Sequence, residues 1–133
     1  MAFQNLILQQ SFSISSDNNG LSAGTSGASG QYYFVRIGDA DLTVGKAYAN
    51  DRIIGVSQDS ARKGEAVSVG MVGITKMRAG GIITRGQAVR SKADGSAVRW
   101  LGAAAQHIGG IALETAAVGD IFTLLLTAGF TVT

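Results

Sequence analysis

The chain has 133 residues, of which 46% are hydrophobic and only 15% are charged, with a formal net charge of +2. This length predicts one domain with its own core, and so small a net charge does not by itself imply a nucleic-acid partner. The absence of cysteine excludes a disulfide framework, a thiol nucleophile and a zinc–thiolate site, while nineteen glycines without a proline favour tight β-turns.

Residues 1–30 are predicted to form a flexible N-terminal arm. Its apolar stretch, Leu6 to Leu8, is too short for a signal-peptide core or a membrane span, so we expect a soluble protein made in a cytoplasm. Ser13 to Gly30 are rich in Ser, Gly and Asn and cannot bury enough apolar area to offset the entropy of ordering. A frayed terminus and a docking arm that orders on a partner are both open interpretations.

The first strand is predicted over Gln31 to Ile37, and it opens a single β domain that covers residues 31–133. Tyr33 and Val35 share one face of this strand, while Tyr32 and Phe34 share the other. Aromatic residues on both faces predict a strand that is buried on both sides or lies at a subunit contact, and core packing is the favoured interpretation.

A motif occurs twice, at a separation of 55 residues. Each copy has a Gly–aliphatic pair, an acidic residue, an alanine, a glycine–acid turn and then an alternating apolar strand. Two β units built on one plan are the simplest cause. The matching residues are Gly55, Val56, Asp59, Ala61, Gly64, Glu65, Val67, Val69 and Met71 in the first copy and Gly110, Ile111, Glu114, Ala116, Gly119, Asp120, Phe122, Leu124 and Leu126 in the second.

Each copy is predicted to open with a turn, and the two turns begin at Leu42 and at Ile83, 41 residues apart. The second copy would then carry 14 extra residues, which we assign to a hairpin in Val89 to Trp100. Asp94-Gly95 is its predicted two-residue type I′ turn. The copies are placed at about residues 38–75 and 81–129.

Short strands, frequent glycine and the lack of an amphipathic helix predict an all-β fold, a small barrel or sandwich of β-tulip-like shape. The two related halves are expected to pack about a pseudo-twofold axis.

No group of residues carries a recognisable chemistry. His107 is the single histidine, so one chain cannot build a multi-histidine metal site. Asp59 and Glu114 are equivalent in the repeat, and turn capping explains them better than an acid–base pair does. We therefore predict no catalytic, metal-binding or cofactor-binding residue, and a protein that is not an enzyme.

The segment from Lys76 to Arg99 carries six basic residues against one acidic residue, Asp94. Ordinary solubility, contact with an acidic protein surface, and binding of nucleic acid with Trp100 stacking on a base are all open interpretations. A carbohydrate-binding module is a further alternative, for which Tyr32, Tyr33 and Trp100 are the available aromatic residues.

The two copies together resemble the capsid cement, or head decoration, proteins of tailed bacteriophages. The resemblance spans about residues 32–129. It rests on Thr43, Gly45, Ala47, Ile54, Gly55, Val56, Gly64 and Glu65, and on Thr84, Gly86, Ala88, Asp94, Gly95, Gly110, Ile111, Ala112, Leu113, Glu114, Ala116, Ala117, Gly119 and Asp120.

This resemblance implies a homotrimer that sits on the outside of the expanded phage head and stabilises contacts between major capsid protein subunits. It implies synthesis in the host cytoplasm, a final place in the virion, and neither a membrane nor a nucleic-acid partner. Deleting residues 1–12 is expected to leave a folded body that binds capsids less tightly. The expected capsid-binding residues are Phe3, Leu6, Ile7, Leu8, Phe12, Arg90, Lys92 and Arg99, and the expected subunit-interface residues are Tyr32, Phe34 and Trp100.

Overall fold

A computed structural model describes residues 5–14, 31–38, 41–49, 51–59, 66–102 and 107–131. Within these ranges there are nine β-strands and no helix, so no described segment is a helix that would span a membrane. The all-β prediction is confirmed. The strands are β1 (Asn5–Ile14), β2 (Phe34–Ile37), β3 (Thr43–Lys46), β4 (Gly55–Ser57), β5 (Ala66–Arg78), β6 (Ala88–Ser91), β7 (Ala97–Arg99), β8 (His107–Ala112) and β9 (Ile121–Thr131).

The strands form one curled sheet whose order shows two equivalent halves. The order is β3-β2-β4-β5 on one side and, in reverse, β9-β8-β6-β7 on the other. We call β1 to β4 with Ala66–Ile74 of β5 unit one, and the remainder of β5 with β6 to β9 unit two. Val56 pairs with Gly70 in unit one, and Ile111 pairs with Leu125 in unit two, so the predicted separation of 55 is confirmed for these strands.

The opening hairpins of the two units are also equivalent, and here the sequence-based alignment is wrong. The sequence-based alignment set the turn before β3, at Leu42, against the turn before β6, at Ile83. In the structure Phe34 pairs with Val56 as Ala88 pairs with Ile111, so β6 corresponds to β2, at a separation of 54. The β6–β7 hairpin is therefore the counterpart of β2–β3 and not an addition to the second copy. Positive φ angles recur at the matching turns: Tyr32 (65°) with Gly86 (90°), and Leu42 (59°) with Gly95 (86°).

The turn of the β6–β7 hairpin differs from the predicted type I′ turn. Of Asp94 and Gly95 only Gly95 has a positive φ, at 86°, whereas type I′ needs it at both positions. The Gly95 N–H donates to the Lys92 carbonyl at 3.0 Å, and the Lys92 N–H donates to the Ser96 carbonyl at 2.8 Å. The connection is thus a three-residue loop that ends in a left-handed glycine.

Strand β1 has a defined place in unit one. It pairs antiparallel with β5 from Asn5 to Ser13 and parallel with β3 at Ser13 and Ile14. The strands β1, β3, β2, β4 and β5 therefore form a closed ring of pairings. The predicted arm contributes this strand to the sheet, residues 15–30 lie outside the described residues, and the domain boundary at residue 30 stays a prediction.

The end of β5 takes in unit two the place that β1 takes in unit one. Ser13 pairs with Ala66 as Arg78 pairs with Ile121, and the two partners are 55 residues apart. Ile14 bridges β3 in parallel at Val44, and Ala79 bridges β7 in parallel at Ala97. One long strand thus serves both units, and Gly73, with a φ of 119°, precedes the residue at which it passes from one to the other.

Two buried clusters form the core, and β2 contributes to both. Phe34 packs with Val56, Phe122 and Leu124 in the larger cluster, while Val35 packs in the smaller one. Both residues are fully buried, so the prediction that this strand is covered on both faces is confirmed. Phe34 has no accessible surface, so its side chain packs in the core of its own chain and is not exposed for contact with a second subunit as predicted.

The glycine that opens each copy of the motif lies against a neighbouring backbone. A Cβ at Gly55 would lie 2.4 Å from the carbonyl oxygen of Gly70, and one at Gly110 would lie 2.4 Å from that of Leu125. No L side chain fits so close to a carbonyl oxygen, so these positions require glycine. The Gly–aliphatic pair is repeated because β4 approaches β5 as closely as β8 approaches β9.

Candidate functional site

Catalytic chemistry has no visible centre in the described part of the chain. His107 lies in β8 opposite Thr131, and Asp59 is exposed. The Glu114 carboxylate accepts a hydrogen bond from the Thr123 hydroxyl, and its predicted capping of a turn stays a prediction. Among the described residues no three His, Cys, Asp or Glu side chains are grouped so as to hold a metal ion.

A groove of about 670 Å³ lies on the flank of unit two, and we call it the flank groove. Three of its apolar side chains are unusually exposed, Ile82 at 74%, Val118 at 65% and Leu101 at 60%. Exposed apolar patches of this kind are common where proteins bind other molecules. The groove is lined by Gly81, Ile82, Thr84, Gln87, Arg90, Val98, Arg99, Leu101 and Val118.

Two arginines of the β6–β7 hairpin line the flank groove. Arg90 pairs with Val98 and Arg99 pairs with Val89 across the hairpin. Val89 is fully buried, whereas Arg90 is half-buried and Arg99 is exposed. The Arg90 Nε is buried without a hydrogen-bond partner, and a buried donor left unpaired is costly. The groove therefore presents positive charge beside apolar side chains.

Other basic side chains of the Lys76–Arg99 segment are engaged elsewhere. Lys92 Nζ donates to the Gly80 carbonyl at 3.2 Å, so Lys92 does not join Arg90 and Arg99 in the groove. The Arg78 guanidinium lies 5.1 Å from the Tyr33 ring centroid, and Lys46 Nζ lies 4.0 Å from the same centroid. Among the described residues, Lys92 and Arg78 therefore do not share the surface that Arg90 and Arg99 line.

The aromatic residues considered for sugar binding or for subunit contacts do not form a platform. Tyr33 lies against two cations, and Tyr32 is half-buried in the turn before β2. The Trp100 indole Nε1 is buried without a hydrogen-bond partner. Of the predicted capsid-binding residues in the arm, Phe3 lies outside the described residues, and Leu6, Ile7, Leu8 and Phe12 belong to β1.

The turn of the β6–β7 hairpin rests on unit one. The Phe34 N–H donates to the Gly95 carbonyl at 2.8 Å, which fixes this end of the hairpin to β2. Burial raises the pKa of the Asp94 carboxyl, but hydrogen bonds from the Ser96 backbone and hydroxyl, with the charges of Lys92 and Lys46, bring that pKa below its ordinary value. Burial lowers the pKa of Lys46, the charge of Asp94 opposes this effect, and Arg78 adds to it.

Asp94→Asn is expected to reduce stability at pH 7 by about 0.5–1 kcal/mol, a figure discounted for the exposure of this carboxylate. The folded pKa is depressed, so the contribution is present above the unfolded pKa and is lost as pH falls through the folded value. Urea unfolding at pH 7 and pH 3 measures it: the gap between wild type and variant should shrink at pH 3. Asp41→Asn, at the exposed equivalent position, is the control. A gap that is unchanged at pH 3 would contradict this assignment.

Comparison with known proteins gives a matching family model and similar solved structures. A family model described as phage cement protein matches residues 23–126, more than three-quarters of the chain. The head fiber gp8.5 N base of bacteriophage phi29 is similar in structure, with a TM-score of 0.68 and 22% sequence identity over 90% of this chain and 95% of that one. At this identity the likeness shows the fold alone. No curated protein matches the chain.

Proposed function

We propose that this chain, which belongs to the phage cement protein family, stabilises phage heads without catalysing a reaction. It binds the outside of the expanded head as a homotrimer and bridges neighbouring subunits of the major capsid protein. The protein is made in the host cytoplasm and ends in the virion. A cement protein needs contact area and symmetry rather than chemistry, and a closed trimer presents three copies of each docking surface at once.

The observation that carries this proposal is the flank groove. Arg90 and Arg99 have no carboxylate within ion-pair distance among the described residues, and they stand beside exposed Ile82, Leu101 and Val118. A capsid segment with aliphatic side chains and at least one carboxylate fits this surface. The apolar area supplies binding free energy, and the charges set register and speed the encounter.

Binding only the expanded lattice explains how such a protein stabilises it. Any ligand that binds one state of a lattice and not the other shifts the equilibrium toward the bound state. Three weak contacts held in one trimer bind far more tightly than one, because the second and third contacts form at high effective concentration. The predicted contribution of the N-terminal arm to capsid binding stays a prediction beside that of the groove.

Arg90→Glu combined with Arg99→Glu is expected to lower affinity for expanded heads at least about tenfold, since charge reversal replaces attraction by repulsion at an interface. The measurement is co-sedimentation with purified heads that lack the protein, at increasing protein concentration. The matched control is Arg52→Glu combined with Arg85→Glu, which changes the same number of charges on exposed side chains that do not line the groove.

Binding to heads that does not depend on the groove charges would contradict the assignment of the flank groove as the docking surface. If both double variants bind heads as tightly as the wild type, while their thermal unfolding stays unchanged, the groove is not the docking surface. If the wild type itself fails to bind heads, the proposed function is wrong.

A further inference from the structure

The connection between β1 and β2 is longer than closure of unit one requires. In unit two the equivalent connection runs from Ala79, the counterpart of Ile14, to Ala88, the counterpart of Phe34, through the eight residues 80–87. In unit one the same gap is crossed by the nineteen residues 15–33. Because the ends are equivalent in the two units, eight residues suffice, and eleven are in excess.

The excess length extends the reach of β1 beyond its own body. Eleven extended residues add about 36 Å at roughly 3.3 Å each, whereas a domain of this length has a radius of gyration of about 14 Å. Residues 15–30 are rich in Ser, Gly and Asn. A longer connection also weakens the preference of a strand for its own chain, since the effective concentration of the tethered end falls with length.

The strands that pair with β1 can accept β1 of a second copy as well as β1 of their own chain. Eight residues of β1 between Asn5 and Ser13 are in register with β5, and two more pairs join it to β3. The acceptor edges on β5 and β3 are the same in every copy, so exchange changes no contact within the ring. Exchange of an identical element is a low-cost route to an oligomer, because it needs no new interface.

We propose that β1 completes unit one of a neighbouring copy of this chain, so that the assembled protein is joined by exchanged strands. The acceptor site is the seam between β3 and β5, and its occupant is the segment Asn5–Ile14 of the second copy. When each protomer inserts its β1 into the next protomer, the protomers form a closed ring. This inference goes beyond the proposed function and does not depend on capsid binding.

The experiment uses engineered cysteines, which are unambiguous because the chain has none of its own. Ser11 and Ser68 are partners in the β1–β5 register, and directly paired residues lie within the range that a disulfide spans. A full-length Ser11→Cys chain and a full-length Ser68→Cys chain, one of them carrying a mass tag, are unfolded, mixed, refolded together and oxidised. Strand exchange predicts a covalent heterodimer on a non-reducing gel, with a disulfide between residues 11 and 68 identified by mass spectrometry.

Unit two provides the matched control. Lys76 and Thr123 are partners between β5 and β9, at the positions equivalent to Ser11 and Ser68, and both lie in unit two. Lys76→Cys mixed with Thr123→Cys should give no heterodimer, while the doubly substituted chain should form an intrachain disulfide.

Two results would overturn the inference. One is a Ser11→Cys and Ser68→Cys mixture that gives no more heterodimer than the unit-two control, while the doubly substituted chain closes within itself. The other is a doubly substituted chain that forms no 11–68 disulfide of any kind, because β1 would then not pair with β5. Binding of the same variants to heads is a separate readout, so strand exchange can fail while the proposed function stands.

Discussion

Alanine at Gly55 or at Gly110 is expected to destabilise the protein by about 3 kcal/mol, the upper end of the usual cost of forcing an extra methyl into a packed site. At each position a Cβ would lie 2.4 Å from a backbone carbonyl oxygen, of Gly70 and of Leu125 respectively. A backbone oxygen in a sheet cannot move aside as the end of a flexible side chain can, so the strands must separate. Natural domains are stable by only about 5–15 kcal/mol, so either change removes a large share of the total.

Urea unfolding monitored by circular dichroism measures this loss. Gly119→Ala is the control, because Gly119 has a φ of 88° but no atom within 4 Å of its Cβ position. This variant carries only the backbone cost of alanine at positive φ, about 1 kcal/mol. Unfolding midpoints of Gly55→Ala and Gly110→Ala no lower than that of Gly119→Ala would show that the close approach has no energetic consequence.

Removing residues 1–14 is expected to unfold unit one. The sequence alone predicts a folded body after truncation, but the pairing of β1 with β5 and β3 gives the opposite expectation. Without β1, β3 and β5 each lose a hydrogen-bonded partner, and the ring of pairings that contains Val35 and Val67 is opened. Unpaired backbone groups and newly exposed apolar surface each cost free energy, so we expect a loss of several kcal/mol.

The truncated protein should melt at a lower temperature and bind a hydrophobic dye, and a synthetic peptide of residues 1–14 added in trans should reverse both effects. A peptide of the same composition in scrambled order is the control. A truncated protein that melts like the full chain would mean that β1 is dispensable for the fold. This test asks whether unit one needs β1, whereas the cysteine mixture asks which copy provides it.

The part of the repeat that the sequence predicts correctly is the part in which local geometry restricts the side chains. Gly55 and Gly110 are fixed by a backbone contact, and the strands that follow alternate because one face is buried. The hairpins carry no such restriction. Between β2 and β6 the shared residues reduce to a Val-Arg pair, Val35-Arg36 and Val89-Arg90, which is too little to align by eye.

The place of β1 was beyond prediction for a related reason. Its counterpart at the end of β5 shares its pairing pattern but no recognisable sequence, because a strand that closes a ring is defined by the edges it meets. In the flank groove, the basic segment predicted Arg90 and Arg99, but no sequence pattern pointed to Ile82 and Leu101. Ile82 and Ile83 are adjacent and similar, yet Ile83 is fully buried and bridges Ala116, whereas Ile82 is 74% exposed.

The continuity of β5 has a mechanical consequence. Ala66–Arg78 is one strand, hydrogen-bonded to β1 and β4 along its first part and to β9 along its last. Tension applied to one unit is therefore transmitted to the other through the covalent backbone of β5 and not only through a non-covalent interface. The hydrogen bonds along the strand are then loaded in shear and must break together. The two units would therefore stretch as one body, with Gly73 and its φ of 119° directly before the residue at which the strand passes from one unit to the other.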